Sequence, residues 1–185
     1  MIGLITKPQN VDLQIWTIGH STRTASEFLV CLQSFDIKML IDVRRYPGSR
    51  KYPHFNAPDL EKYLLEAGIT YKHMPALGGR RTPKKDSQNT QWRNAAFRGY
   101  ADYMETDEFN SAINELIGFA SVQRAAYMCS EAVWWSCHRS LISDYLKNKS
   151  WTVMHVMKEG QASEHPYTSA YRESQMKLLY FLRFR

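Results

Sequence analysis

Cysteine is scarce in this chain: Cys31, Cys129 and Cys137 are the only three among 185 residues. So small and odd a number argues against the disulfide framework of a small secreted protein, and in a reducing compartment the three stay thiols unless catalysis uses them. No apolar run approaches the roughly 20 residues of a membrane helix. The opening stretch MIGLITKPQNVDLQ lacks the charged-then-apolar layout of a signal peptide. A cytoplasmic protein without membrane contact is the expectation. Internal repeats are missing too, as is any linker that would divide the chain, so residues 1–185 read as a single domain.

What is present is the material of a globular core. Hydrophobic residues make up 44% and aromatics 13%, enough for a chain of this length to bury a substantial interior. The net charge of +6 favours acidic or phosphate-bearing partners, an anionic small molecule or nucleic acid. Oligomeric state has no signature here.

The pattern alternates strand with helix. LQIWTIGH is a strand ending at His20, and Thr24 with Glu27 forms a capping box that opens a helix. Phe28, Cys31, Leu32 and Phe35 fall on one face of that helix, which places Cys31 in the core. KMLIDVR is a nearly continuous apolar run, as expected of a strand covered on both sides. A second helix opens near NAPDL, buries Leu60, Tyr63, Leu64 and Ala67, and stops at Gly68. ITYKHMP is a short third strand, and LGGRRTPKKDSQNTQW is a long basic loop of the kind that usually carries function. Two helices follow, one burying Phe97, Tyr100, Ala101 and Met104, the other Phe109, Ala112, Ile113 and Leu116. RAAYMC and WTVMHVM are the fourth and fifth strands, with a helix between them, and a C-terminal helix carries Tyr171, Leu178, Leu179 and Leu182. This succession predicts an α/β, single-domain, three-layer fold: a mainly parallel sheet of about five strands with helices on both faces.

In such sheets ligands bind beyond the carboxyl ends of the strands, and the unusual chemistry gathers there. Gly19, His20 and Ser21 follow the first strand; Arg44, Arg45, Ser49, Arg50 and His54 follow the second. His73, Gly79, Arg80 and Arg81 follow the third, Cys129, Ser130 and Glu131 the fourth, and His155 lies near the end of the fifth. In CSEAVWWSCHRSLISDYL, Ser136 suits a helix N-cap, which would put Cys137, His138 and Arg139 in the first turn. Free backbone N–H groups there favour an anion and lower the pKa of a nearby thiol. A plainer reading stands beside this one. His138 shares a face with Leu141, Ile142 and Tyr145 and suits a core position, and Cys129 at the end of a buried strand suits a small hydrophobe. The Trp134–Trp135 pair reads equally as a stacking platform or a buried plug.

In DVRRYPGSRKYPHF, Asp42 at a strand end can orient a histidine or act as a base. Arg44, Arg45, Arg50 and Lys51 interleaved with Tyr46, Tyr52 and Phe55 suit phosphate and stacking contacts, or else a solvated loop. Cys129 and Cys137 are eight positions apart with no tight pair beside either, which is not a zinc-finger or ribbon spacing. No metal and no cofactor are expected.

TIGHS, LIDVRRYPGSRKYPHF, LGGRR, MCSE, CHRSLI and EHPYTSAYR, in this order, closely resemble domain-of-unknown-function family 488. The resemblance runs from about Ile15 to Arg172, with the C-terminal helix beyond it, and implies a compact bacterial or archaeal α/β protein of no established activity. LIDVR followed much later by AAYMC and RSLISDYL is similar, more loosely, to rhodanese-like domains. That similarity implies Cys129 as nucleophile and Arg139 as the anion-binding arginine, although ten positions separate the two where the rhodanese loop is short.

Three functional readings follow, and they leave open whether the chain is an enzyme. The first is an enzyme or binding protein for a phosphate-bearing ligand such as a nucleotide or nucleic acid. Arg44, Arg50 and Arg139 would hold the anion, with His20, Ser21, His54 and Arg80 beside them, and Asp42, Glu131 and His138 would act as acid, base or orienting groups. The second is thiol chemistry at Cys129 or Cys137, as sulfur transfer or a covalent intermediate. The third is a non-catalytic nucleic-acid module relying on Arg45, Lys51, Arg80 and Arg81.

Overall fold

The structure, a computed structural model, describes residues 13–172. The first strand, β1 (Gln14–Gly19), leads to α1 (Ala25–Gln33), capped by the Thr24–Glu27 box: the Glu27 carboxylate accepts from the Thr24 N–H at 2.8 Å. Then come β2 (Met39–Asp42), α2 (Ala57–Glu66), β3 (Thr70–His73), α3 (Ala95–Tyr103) and α4 (Asp107–Val122). The chain continues through β4 (Ala125–Cys129), α5 (Arg139–Asn148), β5 (Thr152–Lys158) and β6 (Gln161–Glu164). Helical turns resume at residues 169–172, and Leu178, Leu179 and Leu182 of the expected C-terminal helix lie outside the described residues.

The strands form one sheet in the order β3-β2-β4-β1-β5-β6, parallel throughout except for β6, which runs antiparallel to β5. The sequence expectation was about five strands. The sixth is four residues on an edge, three of them polar, joined to β5 by a tight turn, and has no apolar pattern to announce it. Alternation along the strands divides the core. Ile15, Ile41, Tyr127 and Val153 face α3, α4 and α5, whereas Trp16, Leu40, Ala126 and Met128 face α1 and α2. Helices thus cover both faces, and Cys31 packs in the second core.

Register brings the ends of the central strands level. Gly19 lies opposite Cys129 and Asp42 opposite Met128, and the pairing continues past the strands: the His20 N–H donates to the Cys129 carbonyl and the Ser21 N–H to that of Ser130. Gly19 is where the loop after β4 presses on β1. A Cβ on it would stand 1.7 Å from the Glu131 carbonyl oxygen, so only glycine admits this approach. Gly19→Ala is expected to destabilise the fold by about 3 kcal/mol, the upper range for overpacking, and urea denaturation followed by circular dichroism would measure it.

Candidate active site

A cavity of about 730 Å³ opens over the level ends of β1, β2 and β4. Its walls include His20, Ser21 and Thr22 after β1, Arg44 to Tyr46 after β2, Gly79 and Arg80 after β3, Phe97 of α3, and Cys129 to Ala132 after β4. Ser136, Cys137 and His138 close it from the side of α5. Of the residues singled out in the sequence, His20, Ser21, Arg44, Arg80, Cys129, Glu131, Cys137 and His138 line this space.

The remaining predicted residues lie elsewhere. Asp42 is fully buried behind the wall, and its carboxylate is saturated: it accepts from Arg44 Nε at 2.9 Å, from Arg44 Nη2 at 2.6 Å, from the Arg44 backbone N–H at 2.9 Å and from Tyr71 Oη at 2.7 Å. It orients rather than accepting a substrate proton. Burial, followed by the Asp42 charge, pushes the Tyr71 hydroxyl well above its ordinary range. Arg44 also donates to the Phe55 carbonyl at 2.8 Å, so its charge serves an internal pair and is only 5% exposed. Arg50 is exposed and lies off the cavity wall. His54 donates from Nε2 to the Arg23 carbonyl in the loop after β1 and does not line the cavity.

Arg139, expected to reach an anion, is buried beneath the site. Its Nη1 donates to Thr17 Oγ1 at 3.1 Å and its Nη2 to the Glu131 carbonyl at 2.7 Å. The cause is the helix start. Residues 134–136 form a 3-10 turn, the N-cap of α5 is His138, not Ser136, and Arg139 is the first helical residue, directed at β1. Cys137 and His138 therefore precede the helix. Glu131 contributes its carbonyl to this arrangement while its side chain is exposed at the cavity mouth.

His20 stacks on Phe55, ring centroids 4.2 Å apart. Its Nδ1–H donates to the Ser21 carbonyl at 3.0 Å, which leaves Nε2 to accept from Arg44 Nη1 at 3.4 Å. Burial, and after it the Arg44 charge, lowers its pKa to about 4, so it is neutral at physiological pH. Between its ordinary value of 6.5 and about 4 the unfolded chain binds a proton that the folded one does not. Stability is therefore expected to fall as pH drops through that window. His20→Asn should flatten that part of a stability–pH profile.

The two thiols meet at the cavity floor. Cys129 Sγ, Cys137 Sγ and a ring nitrogen of His138 lie within 4.8 Å of one another, and His138 Nδ1 is 3.5 Å from Cys137 Sγ and 4.0 Å from Cys129 Sγ. The His138 ring is wedged between Tyr100 and Gly79, where a Cβ would come within 2.8 Å of Nδ1. Cys137 is held low, at about 6: the Cys129 thiol shares its proton with it, burial opposes, and the Arg139 charge and backbone N–H add to the lowering. The Cys129 thiol is pushed up to about 12, first by that same hydrogen bond and then by burial. The two shifts run in opposite directions, and Cys137 is the more acidic thiol of the pair. Two sulfurs and an imidazole are also donor types that suit Zn²⁺, and three such donors would leave one position open towards the cavity.

The rim is cationic. Arg45, Lys51 and Arg80 are exposed around the mouth beside Tyr46, itself 66% exposed. Arg81 is not among them: its guanidinium lies 3.5 Å over the Tyr103 ring and donates to the Gly78 and Ala76 carbonyls. The basic loop after β3 is tied down through buried Asp102, which accepts from the Lys84 N–H, Ser87 Oγ and Asn89 Nδ2 at 2.6–2.8 Å.

Sequence reasoning missed a buried relay beside the site. Asp144 accepts from His165 Nε2 at 3.1 Å, and His165 Nδ1 accepts from His155 Nε2 at 2.9 Å. His155 sits three residues before the end of β5, opposite Thr17, and Trp134 stacks on it at 4.3 Å. Trp134 is thus the plug of the tryptophan pair, and Trp135 is 53% exposed. The histidine that precedes Pro166 was the available signal for the relay.

Alkylation by iodoacetamide, resolved by peptide mapping, is expected to reach half its maximal rate at Cys137 near pH 6, with Cys129 inert until strongly alkaline pH. Two cysteines titrating together near pH 9 would contradict the assignment of Cys137 as the more acidic thiol.

Neither the curated proteins nor the solved structures contain a match to this chain. One family does match, over residues 24–146, a span that runs from the α1 cap through α5 and takes in most of the cavity wall. The chain belongs to the family described as domain of unknown function DUF488.

Proposed function

We propose that this chain is a thiol-dependent enzyme that acts on an anionic, phosphate-bearing ligand, with Cys137 as nucleophile. The observation that carries the reading is the convergence of Cys129, Cys137 and His138 on the floor of a large cavity with a cationic rim. A nucleophilic cysteine needs a thiolate fraction at neutral pH and a neighbour that stabilises it. Cys129 and Arg139 supply the stabilisation, and His138 Nδ1 is placed to move a proton to a leaving group.

The ligand class follows from the rim. Arg45, Lys51 and Arg80 have no carboxylate partner in the described structure, and a phosphate can take forked hydrogen bonds from either arginine. Exposed Tyr46 offers a flat face to a base. Of the arginines first expected to hold the anion, Arg44 and Arg139 are buried in internal hydrogen bonds and Arg50 lies off the cavity wall.

Inorganic phosphate, pyrophosphate and a set of mononucleotides would be tested for protection of Cys137 against iodoacetamide. Protection by at least one of them is expected, with the half-protecting concentration rising about tenfold in Arg80→Ala and Lys51→Ala, as for loss of one charge-assisted contact. An alkylation rate indifferent to every anion would remove the phosphate reading. Binding of the protecting ligand to Cys137→Ser at undiminished affinity by calorimetry, with no turnover of any ligand by the wild type, would mark a binding protein.

A further inference from the structure

We infer that Cys129 and Cys137 act as a dithiol pair: Cys137 attacks a low-molecular-weight disulfide carrying an anionic group, and Cys129 resolves the mixed disulfide. This inference rests on the reading of Cys137 as nucleophile and names a substrate class for it.

A single displacement needs one sulfur. The cavity floor has two, within 4.8 Å of each other, and both approach the same ring nitrogen of His138. A disulfide needs its sulfurs at about 2.05 Å and its Cβ atoms about 3.8 Å apart, a closure within reach of side-chain rotation and a small loop shift. The two residues are suited to unequal roles. Cys129 ends a central strand, fixed by its register with Gly19. Cys137 lies outside α5, between a 3-10 turn and the helix, held through its N–H on the Trp134 carbonyl and through its carbonyl on the Ser140 N–H and hydroxyl, and is not tied into the sheet. The intervening Ser130, Glu131, Ala132, Trp135 and Ser136 are exposed. Cys31 is isolated in the core on the opposite face of the sheet, which makes it an internal control.

The steps balance. The Cys137 thiolate forms a bond to one sulfur of the substrate RSSR, the S–S bond breaks, and RS⁻ leaves and takes a proton from solvent. Cys129 then gives its proton to His138 Nδ1, and its sulfur bonds to Cys137 Sγ. The second RS⁻ departs and is protonated by His138. The substrate gains two electrons, the pair is oxidised to a disulfide, and an external dithiol must reduce it for another turn. Arg45, Lys51 and Arg80 would hold the anionic groups of R.

The test uses the full chain, reduced and freed of metal with a chelator, and the dicarboxylate aryl disulfide dithiobis(nitrobenzoate). The expected result is release of two thiolate chromophores per chain in the fast phase, with no aryl group retained. Mass analysis should show the loss of two hydrogens, peptide mapping should show Cys129 joined to Cys137, and Cys31 should stay free. Cys129→Ser should release one chromophore and retain the other on Cys137. A wild type that also keeps the aryl group on Cys137 overturns the dithiol while leaving the nucleophile reading standing. A Cys137 no more reactive than Cys31 in the folded protein overturns both. Should Cys129→Ser fail to fold, the wild-type stoichiometry and mass decide alone.

Discussion

The buried guanidinium of Arg139 ties together the three pieces from which the site is built. It is the first residue of α5, it donates to the Thr17 hydroxyl inside β1, and it holds the Glu131 carbonyl in the loop after β4. Each contact alone is an ordinary hydrogen bond. Together they fix the distance between a strand, a helix and a loop. The same charge lies beneath Cys137 and is one reason its sulfur is held as an anion. A buried cation that also favours the ionised form of a thiol on the cavity floor makes fold and chemistry interdependent, because unpaired burial of a charge is costly.

A second buried charge pair acts on the opposite wall in a comparable way. Asp42 occupies all of its accepting capacity on Arg44 and Tyr71, and Arg44 in turn donates to His20. The Ser21 carbonyl and Arg44 together set the tautomer of His20, and burial, with the Arg44 charge after it, keeps the ring neutral. Two of the most conspicuous charges in the sequence are thus used to shape the cavity, and Arg45, Lys51 and Arg80 stand exposed at its rim.

Much of the fold was legible because its strands are covered on both sides and read as apolar runs, while α1 declares its start through Thr24 and Glu27. The placement of His20, Ser21, Cys129 and Cys137 at one edge followed from the rule for parallel sheets. What was not legible is long-range. Arg139 finds Thr17 across 122 positions, and no local pattern distinguishes an arginine aimed at solvent from one aimed at a strand hydroxyl. Ser136 looked like a cap because serine suits that place, but the 3-10 turn at residues 134–136 moved the helix start to Arg139. The spacing of the two cysteines matched no known metal pattern, yet the loop after β4 curls back and brings them together. Strand β6 has no hydrophobic alternation because little of it is buried.

That last strand has a consequence of its own. A parallel sheet with β5 as its border would offer a row of unpaired backbone groups beside Val153, His155 and Val156, a template onto which another polypeptide could zip. Covering it with Gln161, Ala162, Ser163 and Glu164, and pairing Glu164 with Lys147 of α5, leaves a border that is short, hydrophilic and pinned at one corner. Such borders resist the addition of foreign strands. The reversal of a single strand therefore acts as a safeguard for solubility, placed at the far side of the sheet from the thiols.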